Sequence, residues 1–562
     1  MMRLARFLIP ISVAAFLTIF LVIPLASLVW VSLSGEPSNI FGDLARGDLV
    51  GFWRSITSHA SLSYYDEFIR TPRYRIGLVN GVLFSGAVTL ACCGLGVSLA
   101  FVLDRVELPF SSVLRVLAIL PLAIPSFLMA LSVQFLFGKS GIVTTTIGPV
   151  LNPFSPLGCG VVQAFSFFPL VYLTTAATLE RMDPALDEAS AVLGAPRALT
   201  FCRVSLPMLL PGVAAGAFLA FIRSFGDFAT LQLLMPSKIR MIVVEAYRDM
   251  SGNTYWGGAA TLSTVMIGVI LCILAVQKLV VERKRFETMT GRAVATKRRI
   301  SNPALRGILL AATVAVLAFP VLNLGVIALL SVSGAWGNTL LPETWTLSHF
   351  EKALVKSPAS LVNSLALSAM ALAGSLVLAG CVAYTVHRGR SWARHALDFV
   401  VQLPFVLPGT AFAIALITVF NNPPLALHLT VYIVVLAYIV TRTPYGVRTI
   451  LASLQQIGPA MEESSRTLGA NDLVTTAKVL VPLIRPGIVA GGVMIFISCM
   501  TDVAITLMVC PPSWYPASLS IFVQIADARY FDASAYGLLL MGIIFAPYAF
   551  LLRRGGAKQM SI

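Results

Sequence analysis

The chain is 562 residues long, 57% apolar and only 12% charged, with a mean hydropathy of +0.86. Soluble globular proteins carry roughly twice that charged fraction, so the composition excludes a soluble domain and describes a polytopic membrane protein. The net charge of +15 does not point to nucleic acid, because Lys and Arg cluster in short segments between apolar runs and are not interleaved with aromatic residues on a soluble module.

A membrane crossing needs roughly 20 apolar residues. In the first half such runs lie near 8–31, 76–103, 115–137, 157–179, 207–236 and 257–281. In the second half they lie near 307–330, 360–386, 396–420, 429–454, 483–510 and 534–552. The expected fold is all-α, with twelve transmembrane helices in two sets of six. Arg3 and Arg6 precede the first run as they would in a signal peptide, but the run continues to about Trp30 without a small-residue cleavage pattern and is expected to be a retained span.

The expected organisation is a first half at 1–285, a basic linker at 286–304 and a second half at 305–562. Arg292, Lys297, Arg298 and Arg299 in the linker, with Arg553, Arg554 and Lys558 after the last run, place these segments and the N-terminus in the cytoplasm by the positive-inside rule. Segments near 34–74, 138–156, 237–256, 332–358, 421–428 and 511–533 then face outward. Eight cysteines lie mostly inside apolar runs without a CxxC pair, as small packing residues, and the five histidines show no metal-ligand spacing. No metal site, nucleophile–base pair or paired-carboxylate active site is apparent.

One stretch occurs twice. DPALDEASAVLGAPRALTFCRVSLPMLLPG, from Asp183, and GPAMEESSRTLGANDLVTTAKVLVPLIRPG, from Gly458, superimpose without a gap at an offset of 275 residues. Pro184 falls on Pro459, Glu188 on Glu463, Gly194 on Gly469 and Pro207 on Pro482. Asp183 or Gly458 caps a short polar helix that starts at the proline, and Gly194 or Gly469 supplies the left-handed stop. In the first copy Ala185, Ala189, Val192 and Leu193 share a face, which suits a segment lying on a surface with that face held. The match extends to Asp227 on Asp502 at the same offset, and to Asn80 on Asn363, Pro121 on Pro404 and Pro125 on Pro408 at an offset of 283. The halves are therefore parallel repeats with one length change in an outward loop.

The Glu-Ala-Ser and Glu-Ser-Ser patterns, each with a Gly six residues after its Glu and a Pro at the end, resemble the EAA loop of permease subunits in bacterial binding-protein-dependent ABC importers. The loops run over 183–207 and 458–482. The resemblance implies a coupling helix that docks in a cleft of an ATP-hydrolysing subunit, formed here by Asp187, Glu188, Ala189 and Gly194 and by Glu462, Glu463, Ser464 and Gly469. It implies two ATP-binding subunits per chain, a periplasmic substrate-binding protein and residence in the inner membrane lipid bilayer. ATP and Mg belong to the partners and no cofactor to this chain. Gly138-Lys139-Ser140 is no phosphate loop, since Val133 stands where a Walker A glycine is needed. The first-half sequence is most similar to ferric-iron transport permeases; fused permeases for aminoethylphosphonate, sugar phosphates, thiamine and polyamines stay open, and an ion-driven carrier of two six-span halves leaves the paired loops unexplained.

Asp227 and Asp502 are acids at membrane depth, where a charge needs a polar cavity or a partner. Two readings stand: they line the translocation path, or they are paired, with Arg223 one turn before Asp227 as the neutralising group. Arg442, opposite Phe167 of the first half, is expected to snorkel to the cytoplasmic interface. Pro121, Pro125, Pro404 and Pro408 are expected to bend their helices.

Overall fold

Inside a bilayer the backbone has no water to bond to, so apolar runs of this length fold as helices. The computed structural model describes residues 2–35, 60–182, 189–190, 192–282, 302–337, 339, 341–388, 392–421, 423, 425–457 and 459–553. Among these the regular structure is helical, except for a short antiparallel pair, Ser333–Ala335 with Thr344–Trp345. Residues 286–301 of the basic linker and the capping residues Asp183 and Gly458 lie outside the described residues.

Nine described helices are long and apolar enough to cross a membrane, or eleven if each of two bent pairs counts as one span. The expected twelve are thus not all straight crossings, and the departures have local causes. Arg394–Val406 and Gly409–Phe420 meet at 111°. Pro408 sits at that corner with extended backbone, having no N–H to continue the first helix and disfavouring helical geometry in Leu407. In the first half Pro121 and Pro125 bound a 3-10 turn, Leu120–Ala123, before the Ser126–Phe137 helix. The Val431–Gln455 helix, in the place of the tenth expected span, carries Arg442 and Arg448 and is not among the nine.

The fifth span of each half, expected to be continuous, is broken. Leu206–Phe225 gives way to Gly226 and Asp227 before a short helix, Phe228–Leu234. Arg485–Met500 likewise stops before Asp502, and Thr506–Val509 follows.

Within each half three long helices pack together: Pro72–Arg105, Pro156–Arg181 and Leu206–Phe225 in the first, and Ala359–Arg388, Val431–Gln455 and Arg485–Met500 in the second. The leading helices cross over. Ile23–Ser34 packs on Trp256–Glu282 of its own half and on Gly409–Phe420 of the other, while Pro303–Ser331 packs on Tyr530–Arg553 and on Ser126–Phe137. The largest buried apolar cluster accordingly draws Phe127, Phe225 and Phe228 from the first half together with Phe412, Tyr438 and Phe522 from the second.

The repeat seen in the sequence returns as repeated contacts. Asn80 Nδ2 donates to the Arg240 carbonyl at 3.0 Å, and Asn363 Nδ2 to the equivalent Tyr515 carbonyl at 3.4 Å. A Cβ added at Gly212 would meet Thr178 Oγ1 and stand 2.7 Å from the Thr174 carbonyl; at Gly487 it would meet Ser453 Oγ and stand 2.6 Å from the Thr449 carbonyl. These are the same helix crossing at the same offset, closed by small residues as packing in lipid favours. A single π-turn follows each polar loop, at Phe201–Ser205 and Thr476–Leu480.

Candidate functional site: paired loops and a polar seam

In the second loop the helix Pro459–Thr467 starts at the proline, and Gly469 follows with φ +81°, the left-handed region that glycine reaches without a Cβ penalty. Gly194 has φ +75° in the first loop. The Leu468 amide donates to the Ser464 carbonyl and the Ala470 amide to the Ser465 carbonyl; Leu193 to Ala189 and Ala195 to Ser190 repeat this, each at 3.1 Å. Ser190 and Thr200 share a hydroxyl hydrogen bond of 2.7 Å, as Ser465 and Thr475 do at 2.9 Å. Each loop is thereby tied to the foot of the following helix. Asp187 and Glu188 lie outside the described residues, as does the side chain of Glu462.

Ala189, Glu463 and Ser464 are exposed. Of the apolar face expected to be held, the described residues leave Val192 and Leu193 uncovered, 87% and 85% exposed, and Leu468, on the equivalent of Leu193, is 88% exposed. Leu193 and Leu468 thus leave an open apolar tip at the same place in both repeats.

At membrane depth the two acids do the same backbone task. Asp227 Oδ1 accepts from the Thr230 amide at 3.3 Å and caps Phe228–Leu234. Asp502 Oδ1 accepts from the Ile505 and Thr506 amides at 3.0 and 3.4 Å. Their remaining partners differ. Asp227 takes neutral donors, Gln163 Nε2 at 3.1 Å and Ser126 Oγ at 3.3 Å, and Ser224 Oγ in turn contacts Gln163 Oε1 at 2.5 Å. Asp502 takes a charged one: Arg442 donates to Oδ2, with side-chain exposures of 11% and 8%. Arg442 therefore does not snorkel; the buried carboxylate one helix away holds it more firmly than interfacial water, and the Tyr438 ring lies 5.8 Å from its guanidinium.

Arg223 does not neutralise Asp227. Its guanidinium crosses to the other half and donates to Tyr445 Oη at 2.6 Å, while Asp227 points back among the helices of its own half. Tyr445 stacks edge-on against Phe405, and Gly226 approaches Pro408, so the broken fifth span of one half meets the bent third span of the other along a seam.

Two clusters in the segments expected to face outward escaped sequence reasoning because their members are far apart in the chain. Asp249, on the Ile242–Ser251 helix, accepts from Tyr74 Oη at 2.6 Å and from Arg73 at 3.3 Å. Burial raises its carboxyl above the ordinary range, against the lowering by Tyr74 and Arg73. In the second half His349 Nδ1 lies 2.5 Å from Asp532 and Lys352 Nζ 3.2 Å from it. Among the described residues no three His, Cys, Asp or Glu side chains gather as a metal site, and all eight cysteines are free. Gly138 to Ser140 form a turn after the Ser126–Phe137 helix.

Comparison with known proteins is consistent with this duplicated geometry. The chain is 24% identical over 84% of its length to the ferric transport system permease protein of Actinobacillus pleuropneumoniae, covering 70% of that protein. It is 25% identical over 78% of its length to a putative ferric transport system permease of Haemophilus influenzae, 70% of which is covered. A second Haemophilus influenzae protein, an Fe(3+)-transport system permease, is 25% identical over 92% of this chain and 95% of its own length. The family described as binding-protein-dependent transport system inner membrane component matches twice, at residues 94–286 and 375–555, once in each half. The chain belongs to that family, with both copies of its membrane unit fused in one polypeptide.

Proposed function

We propose that this ABC importer permease carries ferric iron, handed over by a periplasmic binding protein, across the inner membrane, with ATP hydrolysed by two separate subunits, one on each loop. Family membership makes ATP-binding subunits and a periplasmic binding protein its partners and makes the chain a transport subunit. The observation that carries the two-subunit reading is the pair of bare apolar tips, Leu193 and Leu468, at equivalent places beside left-handed glycines. Three relatives are ferric transport permeases, which supports iron.

On this reading the loops, both termini and the basic linker face the cytoplasm, and the chain holds neither ATP nor Mg. Closure of the two ATP-bound partners moves the two loops together, and the six-span halves rock about the seam where Arg223 meets Tyr445. The partners supply the differential binding energy; the permease supplies two matched bundles and a polar line between them. Aminoethylphosphonate, another phosphorylated solute, thiamine or a polyamine would use the same machinery. The test is uptake of 55Fe(III) by the reconstituted complex. ATP-dependent accumulation supports iron, whereas uptake of labelled 2-aminoethylphosphonate in its place displaces it.

A further inference from the structure

The seam between the halves has a sign. Arg223 and Ser498 occupy equivalent positions, 275 residues apart, and both lie beside the same side chain: Arg223 donates to Tyr445 Oη at 2.6 Å, and Ser498 approaches that phenol from its own half. Equivalent residues of two repeats meet on one group only close to the axis that relates the repeats. Arg223 is therefore near the axis, and it is exposed. An exposed guanidinium at membrane depth, held by a hydroxyl of the opposite half, faces a water-filled volume, because lipid would not solvate it.

The acids nearby are occupied. Asp502 is taken by Arg442 and two backbone amides, and Asp227 by Gln163, Ser126 and the Thr230 amide. Cys499, Tyr438 and Tyr445 also surround Arg442, and neither a thiol nor a phenol is an ordinary anion at neutral pH. A bare polyvalent cation passing this line would meet the positive charge of Arg223 and, among the described residues beside it, carboxylates already held by other donors. A cargo with anionic oxygens would meet a planar fork of N–H donors made for them.

We propose that Arg223 touches the cargo at the axis and selects cargo that presents anionic oxygen, either a free oxyanion or a metal ion that crosses with an oxyanion bound to it. This deepens the import reading and rests on it. Tyr445 acts as the resting partner that holds the guanidinium between transport events, and releases it when oxygen ligands arrive. The first half supplies the cation alone, since Ser498 replaces it in the second; one fork, not a ring of charges, meets the cargo.

The experiment uses the full complex in proteoliposomes, with the binding protein, 55Fe(III) and 32P-phosphate on one side and ATP on the other, in degassed Tris chloride with phosphate as the only added oxyanion. Entry of both labels in about equal amounts supports the proposal with the oxyanion as a ligand of iron. Entry of 32P without iron supports it with a free oxyanion, and removes the iron reading. Entry of 55Fe without 32P overturns the proposal and leaves the iron reading standing. Arg223→Gln is expected to lower uptake at least ten-fold, and Arg223→Lys, which keeps the charge and loses the fork, less. Arg223→Lys is scored alone if Arg223→Gln does not assemble, and wild-type uptake in Arg223→Lys with 55Fe entering alone overturns the proposal.

Discussion

Asp227 and Asp502 stand at the same step of the same broken span, yet one is surrounded by neutral donors and the other by an arginine. The shared part is the cap: each carboxylate satisfies amides freed where the span breaks. The part that differs is how the charge is met. Gln163 in the first half corresponds to Tyr438 in the second, and Phe167 to Arg442, so the donor moved one helical turn along the fourth span and changed its charge. The difference teaches that duplication preserved what the backbone needs and left free what the seam uses. One consequence is that the second half spends its arginine internally while the first half turns Arg223 outward to the other half.

The comparison breaks most sharply at Arg442. Arg442→Leu leaves Asp502 without its charged partner and is expected to destabilise the chain by about 3–5 kcal/mol, seen as a lower melting temperature and poor recovery in detergent. Arg442→Phe with Tyr438→Gln copies the first-half arrangement and should recover part of that loss; no recovery would mean the two surroundings are not interchangeable. The small-residue crossing gives a control that should treat the halves alike. Gly212→Val and Gly487→Val each press a side chain into the Thr174 or Thr449 carbonyl, and each should cost about 1–3 kcal/mol by denaturation in detergent. A milder change sharpens the contrast: Asp227→Asn keeps an acceptor for the Thr230 amide and should cost about 1 kcal/mol, less than Asp502→Asn, which strands Arg442.

The smallest effect concerns the Tyr74, Arg73 and Asp249 cluster of the first half. The folded chain holds a proton on Asp249 more tightly than the unfolded chain does, so this contribution to stability is present below the ordinary carboxylate range and is lost as pH rises through the raised value. Asp249→Asn should flatten that dependence in thermal melts across mildly acidic pH, and an unchanged slope would count against it.

Much of the fold was legible because lipid simplifies the code: apolar runs became helices, Pro125 and Pro408 became breaks although Pro404 stays inside the Trp392–Val406 helix, and Gly194 and Gly469 took the positive φ that their position after a short helix demands. The doubling was legible because offsets of 275 and 283 residues survive substitution. Straightness was not legible, since nothing in the periodicity of 207–236 distinguishes an acid inside a helix from an acid that caps a new one. Partners across distance were hidden for the same reason. Arg223 lies one turn from Asp227 in sequence but 222 residues from the hydroxyl it bonds, and Arg442 lies 60 residues from its acid. The exposure of Val192 and Leu193 was also beyond a sequence reading, because an amphipathic pattern does not say whether its own chain or another covers the apolar face.

The central claim is that each repeat offers one docking loop to one ATP-binding subunit. Native mass measurement of the purified complex tests it directly. The account predicts two ATP-binding subunits per chain in the wild type and one in Leu193→Asp or Leu468→Asp, each an exposed site where substitution changes the fold's own stability by no more than about 0.5 kcal/mol. A single subunit on the wild-type chain, or two retained in both variants, would contradict it.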